Sequence, residues 1–185
     1  MTPSTAPPPP PPSSSPSSAD VESMLRVDHA GEYGAVRIYQ AQLDILGDTL
    51  QADTLREMLG HEKEHLAFFD DILQKRGVQP TVLQPVWHVA GYALGAITAI
   101  LGVPTAYACT VAVEEVIDEH YAEQERALGA DEAELKKKIA QFRAEEIQHR
   151  DIALQKEAEK APFYPVISQA IRAGSKLAIW LSSRI

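Results

Sequence analysis

Apolar residues recur at alternating steps of three and four along almost the whole chain after Asp20. This spacing keeps side chains on one face of an α-helix, and no alternating strand pattern competes with it. The chain has 185 residues, which is enough for one domain with a buried core. The sequence therefore predicts a single all-α domain over residues 20–185.

Residues that commonly begin or end helices divide this domain into six predicted segments. We expect Asp20 and Thr49 to begin the first two helices, Gly77 to end the second, and Asp131 with Glu134 to form a capping box. The predicted helices cover about 20–47, 49–76, 83–101, 104–128, 131–159 and 165–185. Residues 1–19 are almost entirely Pro, Ser, Thr and Ala, so they are predicted to be a disordered tail. No basic residue precedes Arg26, so we expect neither a secretory signal nor a mitochondrial presequence.

The charged residues and cysteines exclude several classes of function. A net charge of -9 argues against binding to a phosphate backbone, so we expect no nucleic-acid partner. A single cysteine, Cys109, cannot build an internal disulfide, a cysteine-based zinc site or an iron–sulfur cluster. Any metal chemistry must therefore depend on His, Asp and Glu.

Each of the four long predicted helices places one glutamate on the face that should be buried. These glutamates are Glu32, Glu62, Glu114 and Glu146. A buried carboxylate without a partner is costly, and most basic side chains lie away from these faces. Two divalent metal ions would balance four carboxylates, and neutral imidazoles would complete the coordination. Accidental polar residues in a bundle core are the alternative, and they would leave the burial cost unexplained.

The same pattern occurs twice along the chain. A glutamate is followed at plus seven by tyrosine and at plus ten by glutamine, and a Glu-x-x-His sequence follows about thirty residues after the glutamate. The two sets are Glu32, Tyr39, Gln42, Glu62 and His65, and then Glu114, Tyr121, Gln124, Glu146 and His149. One lone glutamate plus one Glu-x-x-His per helical hairpin is the arrangement of ferritin-like di-iron or di-manganese bundles. We therefore predict a ferritin-like four-helix bundle built of two hairpins.

A zinc protease is a second interpretation, because His61 to His65 reads His-Glu-x-x-His. It leaves the glutamates of the other helices unexplained, and we predict that His61 is a surface residue. His29 and Tyr121 share buried faces with Glu32 and Glu114, so they are candidates for orienting ligands or substrate. An ordinary hydrogen-bonded role in the bundle is the alternative for both.

Two predicted helices are left outside the metal bundle. No Asp, Glu, Lys or Arg occurs from Gly77 to Val113, yet the apolar helix in this stretch is too short to span a bilayer. The last helix is amphipathic, and Arg172 and Lys176 lie on its polar side. Both helices are predicted to contact membrane lipid, and a dimer interface is the alternative for both. A buried position in the core is a further alternative for the apolar helix.

Three stretches of the chain, Met24–Ala35, Thr110–Glu115 and Arg143–His149, resemble the demethoxyubiquinone hydroxylases of ubiquinone biosynthesis. The resemblance covers Ser23–Ile185. It implies a ferritin-like enzyme, peripherally bound to the membrane, that uses two iron ions and O2 to hydroxylate the ring of a polyprenylated quinol. The iron ligands that it implies are Glu32, Glu62, His65, Glu114, Glu146 and His149.

The resemblance also implies where the protein acts. We expect the cytoplasmic face of a bacterial inner membrane, or the matrix side of the mitochondrial inner membrane in a eukaryote. The sequence does not identify the electron donor: NADH is a candidate, although no Gly-x-Gly-x-x-Gly turn follows a strand. The sequence does not decide whether the protein has a lipid-presenting partner or forms a homo-oligomer. Iron oxidation or storage is the alternative activity, since the same ligands would support it.

Overall fold

The computed structural model describes residues 16–185. Over this range it contains six α-helices and no strand, and it forms a ferritin-like bundle with two added helices. The helices are α1 (Ser18–Leu46), α2 (Ala52–Arg76), α3 (Gln84–Ile100), α4 (Val103–Ala127), α5 (Ala133–Gln155) and α6 (Tyr164–Ser182). The predicted all-α class is confirmed.

Helix α1 begins earlier than predicted. Ser17 is its N-cap, and its hydroxyl oxygen accepts a hydrogen bond from the backbone N–H of Asp20. The Asp20 carboxylate accepts in return from the backbone N–H of Ser17 at 2.9 Å, which completes a capping box. The prediction that Asp20 is the N-cap is therefore wrong by one turn. Ser18 and Ala19 belong to α1 rather than to the tail, and residues 1–15 lie outside the described range.

Two other predicted boundaries at helix starts are wrong. Thr49 does not begin α2: its hydroxyl donates to the carbonyl oxygen of Leu46 at 2.6 Å within the connecting turn. The predicted capping box before α5 is also absent, because a short 3-10 turn over Ala130–Glu132 precedes the helix without a side-chain cap.

Helix α2 ends as predicted at Gly77, whose φ of 66° lies in the left-handed region that glycine adopts at low cost. Helix α5 ends at Gln155, a few residues before the predicted end. The reason is local, because Glu157 adopts a left-handed backbone conformation with a φ of 67°.

The four long helices α1, α2, α4 and α5 form two hairpins around one interior. Two apolar clusters fill it, one around Tyr39, Leu55 and Tyr107 and the other around Leu25, Phe69 and Ile139. The four core glutamates lie between these clusters in the sequence of every helix. The apolar residues on both sides therefore exclude water from a polar layer in the middle of the bundle.

Helix α3 lies against α1 at very short range. A Cβ atom added to Gly95 would lie 2.2 Å from the carbonyl oxygen of Ile38, and one added to Gly91 would lie 2.9 Å from that of Gly34. Only glycine permits this approach. These two glycines therefore allow α3 to pack directly against the backbone of α1.

Helix α6 packs its apolar side on α4, where Ile171 meets Cys109, Ala112 and Val113. Its basic residues also point to α4: Arg172 pairs with Glu115, and Lys176 lies 2.7 Å from Glu119. These two basic side chains therefore pair with acidic residues of α4, and the predicted contact of α6 with membrane lipid stays a prediction. Among residues 16–185, no helix combines the length and the hydropathy needed to cross a membrane.

Candidate metal centre

The fold brings all six predicted ligands together in the buried polar layer. They form two groups whose ligating atoms lie within 4.8 Å of one another. One group is Glu32, Glu62, His65 and Glu146, and the other is Glu62, Glu114, Glu146 and His149. Because Glu62 and Glu146 belong to both groups, their carboxylates can bridge two metal ions. Glu32 and Glu114 can each serve one ion.

The unpaired polar atoms of this layer fit a pair of bound cations. Both carboxylate oxygens of Glu62 and of Glu146 are buried without a hydrogen-bond donor. The Nδ1 atoms of His65 and His149 lack hydrogen bonds of good geometry, although each lies close to carboxylates: His65 Nδ1 is 2.9 Å from Glu146 Oε1, and His149 Nδ1 is 3.1 Å from Glu62 Oε1 and from Glu146 Oε2. Buried polar atoms are normally paired, so a set this large indicates an ion-binding site.

The electrostatics of the layer indicate the same need for positive charge. Burial, together with the neighbouring Glu146 charge, raises the pKa of the Glu62 and Glu114 carboxyls well above the ordinary value. Burial also acts to raise the pKa of Glu146, but contacts with His149 and His65 outweigh it and lower the value to about 2. Burial opposes the charged form of His65, yet Glu146 and Glu32 raise its pKa to about 12. In the absence of metal, protons therefore compensate part of the carboxylate charge.

Two tyrosines connect the hairpins through the terminal glutamates. The Tyr39 hydroxyl on α1 donates to Glu114 Oε1 on α4 at 2.7 Å, and the Tyr121 hydroxyl on α4 donates to Glu32 Oε1 on α1. Tyr121 therefore contacts a candidate ligand, as its predicted role requires. Tyr39 was not predicted as a site residue, although its plus-seven spacing from Glu32 repeats that of Tyr121 from Glu114.

The outer nitrogen of each clustered imidazole also has a partner from the other hairpin. His65 Nε2 lies 2.6 Å from Glu145 Oε2, and His149 Nε2 lies 3.0 Å from His61 Nδ1. The His61 and His149 rings are nearly parallel, with centroids 5.2 Å apart. The prediction that His61 is a surface residue is therefore wrong. His61 nevertheless lies outside both groups of four, which gives the zinc-protease interpretation no structural support.

The sequence repeat contains a signal for these two partners. His61 and Glu145 each directly precede a repeated glutamate, Glu62 or Glu146. Residues at this position lie beside the buried face of their own helix. The spacing along one helix therefore did not predict that they reach the opposite hairpin.

His29 is buried, and its hydrogen bond among the described residues goes to the exposed Asp70 at 2.9 Å. Its role in orienting a ligand stays a prediction. Asp28 lies one turn before Glu32 and accepts hydrogen bonds from Gln124 Nε2 at 2.6 Å and from His120 Nε2 at 3.1 Å. These groups form a buried polar cluster beside the candidate centre.

A cavity of about 440 Å³ reaches this side of the centre from between α1, α3, α4 and α6. Most of its walls are apolar. The polar residues Asp28, Glu32, His120 and Tyr121 line it together with Val27, Ile38, Leu94, Val113, Ile117 and Ile171. The arrangement can hold an apolar molecule with one polar end close to Glu32.

The chain is similar in sequence to known proteins. Residues 19–182 match the family described as "Ubiquinone biosynthesis protein COQ7". The chain is 54% identical over 169 residues to the 3-demethoxyubiquinol 3-hydroxylase of Rhodospirillum rubrum, covering 91% of this chain and 80% of the relative. It is 48% identical over 173 residues to the human NADPH-dependent 3-demethoxyubiquinone 3-hydroxylase, mitochondrial, with coverage of 91% and 80%. It is 35% identical over 185 residues to the 5-demethoxyubiquinone hydroxylase, mitochondrial, of Saccharomyces cerevisiae, with coverage of 91% and 79%. The chain therefore belongs to the COQ7 family of ubiquinone biosynthesis proteins.

Proposed function

We propose that this protein is an O2-dependent oxidoreductase that hydroxylates the ring of a polyprenylated demethoxyubiquinol. One observation carries the proposal: a buried double cluster of glutamates and histidines lies at the polar end of an apolar cavity. The relatives named as demethoxyubiquinol or demethoxyubiquinone hydroxylases support the same reaction and substrate class.

The clustered ligands are proposed to hold two iron ions, with Glu62 and Glu146 between them. A metal ion that activates O2 must change its oxidation state, and zinc does not, so zinc does not fit this role. When bound, iron supplies the reductive activation of O2. One oxygen atom enters a ring C–H bond, the other leaves as water, and an external donor provides two electrons. Two protons complete the balance.

The protein's own residues are proposed to orient the ring and the ligands. The Tyr121 hydroxyl fixes one oxygen of Glu32, so the carboxylate keeps its second oxygen for a metal ion. Asp28 and His120 line the cavity near this point and supply hydrogen-bonding groups for the hydroxyls of a quinol ring. The apolar walls hold the ring substituents and exclude bulk water.

The protein is further proposed to bind the membrane surface through α3 and α6. Several large apolar side chains of these two helices are exposed. They are Val86, Val89, Ile97, Ile100, Val166, Leu177 and Trp180. Helices α3 and α6 also line the cavity, so the same contact would give a lipid-soluble quinol a direct route to the centre. The proposed location is the cytoplasmic face of a bacterial inner membrane, or the matrix face in mitochondria. A lipid-presenting partner or a second copy could use this surface as well.

Isotope incorporation tests the reaction directly. The apoprotein is reconstituted anaerobically with Fe2+ and then exposed to ¹⁸O2 with a demethoxyquinol and a chemical reductant. We expect one labelled oxygen atom in the ring product, detected by mass spectrometry. A hydroxylated product without the label would contradict the proposal. Iron that is oxidised and accumulated while the quinol stays unchanged would favour the ferroxidase alternative.

Variants of the ligand set separate metal loss from unfolding. Glu114→Ala should abolish product formation and reduce the bound iron, because it removes a carboxylate from one group of four. Glu123→Ala is the matched control, since it changes an exposed glutamate of the same helix. It should keep the activity and the iron content of the unchanged chain. The electron donor is compared in the same assay by replacing the reductant with NADH or NADPH.

A further inference from the structure

The two halves of the candidate centre differ in the groups that contact the outer imidazole nitrogens. Glu145, a carboxylate, lies 2.6 Å from His65 Nε2. His61, a second imidazole, lies 3.0 Å from His149 Nε2. The two partners occupy equivalent positions in the repeat, each one residue before a shared glutamate. The same structural position therefore carries a carboxylate in one half and an imidazole, which can be neutral, in the other.

The rest of the centre is nearly identical for the two metal positions. Both groups of four contain three glutamates and one histidine, and both share Glu62 and Glu146. The terminal glutamates also have matching partners, since Tyr121 donates to Glu32 and Tyr39 donates to Glu114. The partner of the imidazole is consequently the clearest chemical difference between the two positions.

This difference changes how strongly each imidazole donates to a metal. In both histidines Nδ1 faces the carboxylates, so a metal bound there leaves the N–H on Nε2 as a hydrogen-bond donor. A carboxylate acceptor pulls on that proton and makes the ring a stronger ligand. A neutral imidazole acceptor does so less, because charge-assisted hydrogen bonds are roughly twice as strong as neutral ones.

Glu145 is also held firmly in place. Its Oε1 atom accepts from Gln141 Nε2 at 3.0 Å while its Oε2 atom faces His65, and about 29% of its side chain is exposed. Partial burial leaves its charge less screened than that of a fully exposed glutamate. The negative charge therefore acts on the His65 position and on the cation bound there.

We propose that the two metal positions are unequal, and that the position formed with His65 binds a divalent cation more tightly and fills first. Glu145 and His61 are the positioning residues that set this order. The inference rests on the two-metal centre of the proposed function and adds the order in which the two positions bind metal. The cavity reaches Glu32, which belongs to the same position, so the tighter ion lies on the substrate side.

Stepwise titration of the full-length apoprotein with Co2+, against a competing chelator, measures the two affinities. The visible absorption of bound Co2+ follows both steps without substrate or turnover. We expect two dissociation constants that differ by at least about tenfold. Two equal constants would overturn the proposal, and such a result would leave the ¹⁸O2 experiment unaffected. Loss of hydroxylation with two unequal constants would contradict the proposed function alone.

Three variants assign the steps to the two partners. Glu145→Gln should weaken only the tight step, by about 10–100-fold, because the amide keeps an acceptor oxygen without the charge. His61→Glu should strengthen only the weak step, a gain that unfolding cannot produce. Glu64→Gln is the control, since it removes one exposed charge from α2 and should leave both constants unchanged. Equal shifts of both steps in Glu145→Gln, or a comparable shift in Glu64→Gln, would overturn the proposal.

Discussion

Tyr121 joins the candidate centre to the cavity, because its hydroxyl donates to Glu32 and its side chain lines the cavity wall. Replacing it with phenylalanine removes one hydrogen bond and keeps the ring. We expect Tyr121→Phe to retain both iron ions and to slow ring hydroxylation by about tenfold or more, since partners of metal ligands commonly contribute that much. Iron analysis and the initial rate of product formation measure the two effects separately.

The matched variant for this prediction is Tyr39→Phe. It removes the equivalent hydrogen bond, to Glu114, from a tyrosine that is not among the residues lining the cavity. A smaller loss of rate than in Tyr121→Phe is expected. Equal losses would show that support of the carboxylate, rather than proximity to the substrate, determines the effect.

The contact between α1 and α3 determines one wall of the cavity, and Gly95 lies at its closest point. Gly95→Ala places a methyl group against the backbone of Ile38, so the helices must separate. We expect a loss of about 1–3 kcal/mol in the free energy of unfolding, as for other overpacked sites. Chemical denaturation measures it.

Gly60→Ala provides the comparison, because nothing lies within 4 Å of the added atom and the residue is inside α2. This substitution should be neutral or stabilising by up to about 1 kcal/mol. A loss of stability as large as that of Gly95→Ala would contradict the close-packing argument.

The outer side of α3 is proposed to contact membrane lipid. Val89 and Ile97 are 66% and 57% exposed, so charges there should not disturb the interior. Val89→Glu with Ile97→Glu is expected to reduce sedimentation with phospholipid vesicles at least severalfold and to leave the iron content unchanged. Leu94 is unsuitable for this test, because it lines the cavity.

Leu50→Glu is the control for membrane binding. Leu50 is 96% exposed in the turn between α1 and α2, away from the two proposed lipid-contacting helices. Its substitution should leave vesicle binding unchanged. If it weakens binding as much as the α3 variant does, general charge rather than the α3 surface is responsible.

Metal removal should make the stability of the whole protein depend on pH. Burial raises the pKa of the Glu32, Glu62 and Glu114 carboxyls above the ordinary 4.5, so their protonated forms stabilise the metal-free fold. That contribution is lost as pH rises above about 4.5. The raised pKa of His65, about 12, acts in the same direction. The stability that protonated His65 contributes is complete below about pH 6.5 and declines as the pH rises above that value. The lowered pKa of Glu146 has the opposite effect on stability, but only between about pH 2 and pH 4.5.

The melting temperature of the metal-free protein is therefore expected to fall between about pH 5 and pH 8. The gain on adding Co2+ should grow over the same range, because metal binding requires deprotonated ligands. Thermal unfolding followed by circular dichroism, with and without Co2+, measures both trends. A gain that is independent of pH would contradict the assignment of the buried carboxylates as ligands.

The sequence predicted the helices and the six clustered residues because both depend on short-range spacing. Steps of three and four determine which side chains share a face, and Glu-x-x-His places both groups one turn apart. The contacts between helices were harder to predict from the sequence. The apolar spacing of one helix does not show which residue of another helix His61 or Glu145 will contact. Gly95 has no side chain, so its sequence position does not indicate that α3 approaches α1 closely there. The capping box of α1 was missed because Ser17 lies within a run of prolines and serines.

The crossed tyrosines have a consequence for how such a chain can evolve. Tyr39 donates to the glutamate of the second half, and Tyr121 donates to the glutamate of the first, so a substitution in one half removes a hydrogen bond from the other. Positions 39 and 114 should therefore have changed together in descent, although 75 residues separate them. A chain of half this length could reproduce the arrangement only by pairing with a second copy of itself. The repeat within this chain has the form that joining two such copies end to end would produce.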